Sequence, residues 1–120
     1  MGATVVKVRG PRGEVSLRAL VDTGFYGDVI TTPERIEATG IVCKYERIRR
    51  LPDGRIAKVK FGGGEIQVQD STTYGDVEVW EELKLPEGID ALLGVTALEK
   101  LGYRVNPRTG ELEKVELYLL

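Results

Sequence analysis

Glu14-Val15-Ser16-Leu17-Arg18-Ala19-Leu20-Val21-Asp22-Thr23-Gly24 is the stretch on which the fold turns. Val15, Leu17, Ala19 and Val21 alternate with Glu14, Ser16 and Arg18, the period-two pattern of a strand with one buried face. The strand runs out in Asp22-Thr23-Gly24. Small residues there let the backbone turn tightly and let another chain come close. Taken alone, the tripeptide is equally an acid in an ordinary strand-exit turn.

Working outward, Thr4 to Arg9 is β-branched and partly alternating, and Gly10-Pro11-Arg12-Gly13 is a turn. These predict a hairpin with the strand at Glu14 to Val21. Asp28 to Thr31 predicts another short strand. Thr32-Pro33-Glu34 has the chemistry of a helix start, an N-cap hydroxyl followed by Pro and an acid, and Gly40 is a natural stop. Val42 to Leu51 and Arg55 to Phe61 flank Pro52-Asp53-Gly54, a second hairpin. Gly62-Gly63-Gly64 reads as a turn, lacking the Lys and Ser/Thr of a phosphate-binding loop. Strands are expected at Glu65 to Gln69 and Asp76 to Trp80, and Ile89 to Leu93 contains the apolar Ala91-Leu92-Leu93, which ends at Gly94. Thr96 and Glu99 have capping-box spacing before a helix that Gly102 closes. Tyr103 to Val105 and Glu111 to Leu120 predict a last hairpin. Many short strands with two short helices, and no βαβ series, predict a mainly β barrel or sandwich.

The chain has 120 residues, enough for one domain spanning 1–120 with one core. The net charge is -2, which argues against a nucleic-acid backbone binder. No His is present, so Ser-His-Asp and Cys-His triads and imidazole acid–base chemistry are excluded. The single Cys, Cys43, cannot form an internal disulfide and fits a reducing, cytoplasmic compartment. No apolar run is long enough for a membrane span, so no membrane partner is expected. Thirteen Glu and ten Arg against one Asn and two Gln lean toward thermophile usage. Acid–base chemistry, if present, falls to carboxylates, Lys or Tyr.

The order of three segments is more specific than any one of them. An apolar pair precedes Asp22-Thr23-Gly24. The hairpin tip Leu51-Pro52-Asp53-Gly54-Arg55 comes next. Then follows Leu92-Leu93-Gly94-Val95-Thr96-Ala97-Leu98-Glu99-Lys100-Leu101-Gly102, with Asn106-Pro107-Arg108-Thr109-Gly110 behind it. From about Thr4 to Gly110 this resembles the retropepsin-like aspartic proteases, above all their small single-domain prokaryotic members.

The resemblance implies a closed acid-protease β-barrel with two short helices. It implies Asp22 as the catalytic aspartate, Thr23 as an interchain hydrogen-bonding residue, and Gly24 as backbone offered to substrate. Leu92, Leu93 and Gly94 would form an apolar loop threading behind the Asp22 loop. The hairpin near residues 47–60, tipped by Leu51, Pro52, Asp53 and Gly54, would be a flap over the cleft. Such chemistry needs two carboxylates sharing one proton, because like charges about 3 Å apart cannot both ionise. The chain has one Asp-Thr-Gly, and Asp70-Ser71-Thr72 lacks the glycine. The expectation is therefore a homodimer that meets at Asp22 and hydrolyses peptide or protein substrates, with no cofactor and no metal. The other reading is a non-catalytic dimeric module that binds peptide or protein on the same fold.

The remaining features have plainer readings. Arg47, Arg49 and Arg50 are expected on a solvated strand edge. Glu78, Glu81 and Glu82 are expected as surface acids. Trp80 is expected in a core or interface, and Cys43 as an inert buried thiol. Tyr26 either lines the cleft or simply packs.

Overall fold

The computed structural model describes residues 2–115. Strands β1 (Ala3–Gly10) and β2 (Gly13–Asp22) form the expected hairpin, antiparallel with Val6 opposite Leu17 and Gly10 opposite Gly13. The alternation in β2 is realised with Leu17, Ala19 and Val21 buried. Next come β3 (Val29–Thr31), β4 (Tyr45–Arg50), β5 (Ile56–Val68), β6 (Ser71–Val79) and β7 (Ala91–Gly94).

Six of these strands close on themselves in the order β1-β2-β7-β3-β6-β5, with β5 returning to β1 through Val8 opposite Ile66. Closure removes the sheet edges that would otherwise be left unpaired. The fold is thus mainly β, a closed barrel with two short α-helices. Strand β4 lies outside the ring, paired with β5 alone within that sheet. A second, two-stranded sheet joins β8 (Tyr103–Val105) to β9 (Leu112–Lys114). Residues 116–120 of the expected final strand lie outside the described residues.

The barrel interior is filled by Val6, Val8, Val29, Ile66, Val68, Val77 and Leu93, all fully buried. Helix α1 (Pro33–Ile36) passes into a 3-10 turn (Glu37–Thr39) and stops at Gly40, whose φ is +72°. Helix α2 (Val95–Leu101) stops at Gly102 in the same left-handed conformation. It packs Ala97, Leu98 and Leu101 against the barrel.

The structure corrects several local expectations. Gly62-Gly63-Gly64 is no turn but the middle of the 13-residue strand β5. Glycine is needed at position 62 because the backbone of the 41–42 segment crosses against it, whereas Gly63 meets only the movable end of the exposed Tyr74 side chain. A Cβ on Gly62 would lie 2.4 Å from the Val42 carbonyl oxygen, and one on Gly63 would lie 2.6 Å from the Tyr74 hydroxyl. The run lets one strand leave the β4 hairpin and enter the barrel wall. Neither helix is capped by a side chain. The Thr32 hydroxyl instead accepts a bond from Arg35 Nη1 at 3.3 Å. The N-cap of α2 is Gly94, and the Thr96 hydroxyl is drawn to Asp28, so the Thr96–Glu99 capping box does not form.

Candidate functional site

Asp22 is the last residue of β2 and is half-buried, while Thr23 and Gly24 form an exposed turn beyond it. The Gly24 N–H donates to Asp22 Oδ1 at 2.9 Å, and the Phe25 N–H donates to the Asp22 carbonyl at 3.2 Å. One carboxylate oxygen is thus held by the turn that follows it, as Asp side chains commonly do in tight turns.

The Leu92-Leu93-Gly94 segment lies directly beside this turn. Strand β7 runs parallel to β2, with Leu20 opposite Leu92, Val21 opposite Leu93 and Asp22 opposite Gly94. On its other side β7 pairs antiparallel with β3, Val29 opposite Leu93. The Asp22 loop, residues 23–28, therefore loops out of β2 and returns on the far side of β7. Asp90 sets the start of β7: the Arg18 N–H donates to its carboxylate, and the Thr31 hydroxyl to its carbonyl.

Gly94 cannot carry a side chain here. A Cβ would stand 2.2 Å from the Gly27 carbonyl oxygen and 2.7 Å from that of Phe25. The Gly94 N–H donates to the Asp28 carbonyl and the Val95 N–H to that of Phe25, both at 2.9 Å. The loop thus lies flat on the β7–α2 junction, backbone against backbone.

Asp28 anchors the returning end of the loop. It is 2% exposed, yet its carboxylate is fully engaged. Oδ1 accepts from the Thr96 hydroxyl at 2.6 Å. Oδ2 accepts from the Asp76 N–H and from Lys100 Nζ, each at 2.8 Å. Burial by itself pushes this carboxyl up, but the bonds from Lys100, Thr96 and Asp76, together with the charge of Lys100, outweigh it and hold it below the usual carboxylate range. One side chain thereby ties the loop to β6 and α2.

A second buried ion pair ties the loop to the hairpin. Glu78 is completely buried on the outer side of the barrel wall, opposite Phe61 of β5. Arg49 Nε donates to Glu78 Oε1 at 2.9 Å, and Arg49 Nη2 to Oε2. Arg47 Nη2 bonds Asp76 at 2.8 Å, and the Arg47 guanidinium carbon lies over the Phe61 ring, 4.1 Å from its centre. The expectation of a solvated arginine edge is corrected for these two, and that of a surface acid for Glu78. Each Arg is turned inward because the barrel wall beneath carries its carboxylate partner. Sequence reading passed over both networks. Their trace is the i, i+2 spacing of Arg47 and Arg49, and of Asp76 and Glu78, which places each pair on one strand face.

Leu51, Pro52, Asp53 and Gly54 sit at the hairpin tip, as expected. The tip is closed by its own bonds: Leu51 N–H to the Arg55 carbonyl at 2.8 Å, and Arg55 N–H to Asp53 Oδ1 at 3.0 Å. Gly54 takes a φ of +89°. Among the described residues, a hydrogen bond joins the hairpin to the Asp22 loop from the tip end of β4, where Arg49 Nη1 donates to the Tyr26 carbonyl at 2.8 Å. The Tyr26 side chain is 73% exposed. It is free to line a surface cleft and is not packed in the core.

A cavity of about 1000 Å³ lies elsewhere, between α1, the Ile41–Cys43 segment, β5 and Trp80. None of Asp22, Thr23 or Gly24 lines it. Trp80 is half-buried in the cavity wall, and its indole N–H is shielded with no acceptor among the described residues. Cys43 is half-buried there too, and burial pushes its thiol up. No cluster of three or more Cys, Asp or Glu suited to a metal occurs among the described residues, nor is any helix among them long and apolar enough to cross a membrane. Comparison with protein-family models and with curated proteins gives no match for this chain.

Proposed function

We propose that this chain is one half of a retropepsin-like aspartic endopeptidase, active as a homodimer in which two Asp22 carboxylates share a single proton. The observation that carries the reading is the placement of Asp22. It ends a barrel strand in register with Gly94, and an exposed Thr23-Gly24 turn lies beyond it. Exposed small residues at that turn suit the close approach of an identical turn across a two-fold axis.

In this reading the ionised Asp22 takes a proton from a water lying between the two subunits. The water oxygen attacks the scissile carbonyl carbon. The protonated Asp22 of the partner subunit gives its proton to the carbonyl oxygen, which yields a neutral gem-diol. Collapse of the gem-diol breaks the C–N bond: the leaving nitrogen takes the proton from one Asp22 while a gem-diol hydroxyl returns its proton to the other, leaving acid, amine and the singly protonated dyad. An extended peptide would lie between the dyad and the hairpin Tyr45–Phe61, passing Tyr26 and the Gly24 backbone. No cofactor or metal enters this scheme, and neither nucleic acid nor membrane is needed. A cytoplasmic setting goes with it, since the chain has no disulfide to protect.

Sedimentation and peptide digestion test the proposal together. A mass of two chains is expected, with cleavage favoured at acid pH, block by statine-type transition-state mimics and complete loss in Asp22→Asn. Cleavage by Asp22→Asn at the wild-type rate would sink the mechanism, and so would cleavage by a stable monomer. A stable dimer that cuts no member of a broad peptide library between about pH 3 and 7 would instead favour a peptide-binding module on the same fold.

A further inference from the structure

We infer that Arg49 is a positioning residue that couples the hairpin to the loop following Asp22, so that the hairpin opens about Arg49 and closes only when that loop is in place. The inference rests on the proteolytic reading for its consequence in catalysis, but not for the coupling itself.

Strand β4 is the outermost strand of its sheet, held through β5 and through the inward side chains of Arg47 and Arg49. Arg49 spends every edge of its guanidinium. Nε and Nη2 grip both oxygens of Glu78, and Nη1 reaches the Tyr26 carbonyl at 2.8 Å. The plane lies 4.9 Å from the centre of the Phe25 ring. A planar fork with fixed donor directions suits three such contacts, which a point-charge ammonium would not make together.

Gly27 completes the seat. A Cβ there would fall 2.6 Å from Arg49 Nη2 and 2.4 Å from the Phe25 ring. Phe25, Tyr26 and Gly27 therefore all meet one side chain of β4, and they follow Asp22-Thr23-Gly24 directly.

The pivot must lie at Arg49 because Glu78 cannot follow a moving partner. Its carboxylate is fully buried on the barrel wall. Withdrawal of Arg49 would leave it only Arg47 Nη1 at 3.5 Å. A buried charge stripped of its cation is strongly disfavoured. The tip beyond Arg49 has no such tie among the described residues: Ile56 is exposed, and Asp53 and Arg55 bond each other. Motion is thus confined to residues 50–56, and displacement of the 25–27 backbone is felt by the hairpin through the Tyr26 carbonyl.

Hydrogen exchange on the full-length chain tests the coupling without any assay of activity. In Arg49→Lys, amides of residues 45–56 and of 25–28 are expected to exchange about tenfold faster together, while β1 and β2 stay unchanged. Faster exchange in the hairpin alone, or in neither segment, overturns the inference. If Arg49→Lys loosens the whole chain, the double variant Arg49→Leu, Glu78→Leu removes both charges while keeping the packing, and the same comparison decides.

On peptides that the wild type cleaves, Arg49→Lys should raise KM about tenfold while lowering kcat less than threefold, since substrate capture suffers before the dyad does. A fall in kcat with KM unchanged overturns the positioning role. A wild type that cleaves nothing removes the proteolytic reading and leaves the exchange result standing by itself.

Discussion

Replacing Asp28 is the sharpest test of how the Asp22 loop is held. In Asp28→Ala three donors lose their acceptor at once: the Thr96 hydroxyl, the Asp76 N–H and Lys100 Nζ. Lys100 is 43% exposed at its side chain and can turn to water, so its loss counts for little. The other two are partly buried, and each donor left without a partner costs about 1–2 kcal/mol, giving about 3 kcal/mol in all. In a domain of this size that lowers Tm by about 10 °C. Urea unfolding at fixed protein concentration reads it as a lower midpoint with an unchanged m-value.

The pH dependence supplies a second reading of the same side chain. Asp28 titrates lower in the folded chain than its ordinary value of 3.8. Between those two values the unfolded chain binds the extra proton, so stability falls as pH falls through the window and is fully present above it. Asp28→Asn removes this contribution. The wild type should therefore lose more stability than Asp28→Asn on acidification below 3.8, and the two curves should run parallel at neutral pH. A cost under about 1 kcal/mol for Asp28→Ala, or parallel curves throughout, would refute the reasoning.

Other expectations follow from single contacts. Gly94→Ala drives a Cβ into two backbone carbonyls and should cost about 3 kcal/mol or more in the same urea assay; a neutral result would mean that the loop does not lie on β7 as described. Gly62→Ala meets the Val42 carbonyl at 2.4 Å and should destabilise the chain measurably, where a true turn glycine with negative φ would tolerate alanine. Cys43 should react with a thiol reagent about tenfold more slowly than a small free thiol and catch up after unfolding, because burial disfavours its thiolate. If the site is shared between subunits, mixing wild type with an equal amount of exchanging Asp22→Asn should leave about half the wild-type activity, whereas independent active chains would lose none.

Much of the architecture is legible in the linear order of residues. The alternation of Val15, Leu17, Ala19 and Val21 specifies a one-sided strand, and the glycines at 40 and 102 end the helices because only they accept the left-handed backbone cheaply. The apolar Leu92-Leu93-Gly94 segment stands out in the sequence, but the expected loop is a strand, β7, because it pairs with both β2 and β3. Local rules fail where a distant group competes for the same atoms. Thr96 has the spacing of a capping residue but bonds Asp28, 68 positions away. Gly62-Gly63-Gly64 has the composition of a turn but serves as a strand, since its constraint comes from Ile41 and Val42 crossing against it.

The candidate site divides in the same way. Asp22 and its glycine neighbour could be picked out from sequence because a strand end followed by small residues is a local pattern. Arg49, Glu78 and Asp28 could not, because a charged residue in a strand reads as solvent-facing until its partner is known. Glu78 is separated from Arg49 by 29 positions, and Asp28 from Lys100 by 72. Burial of such charges becomes tolerable only after barrel closure brings cation and carboxylate together and excludes water from both. Local pattern specifies most of the strands, the turns between them and the acid at the end of β2. Which charges are buried depends instead on pairs that meet only when the sheet closes.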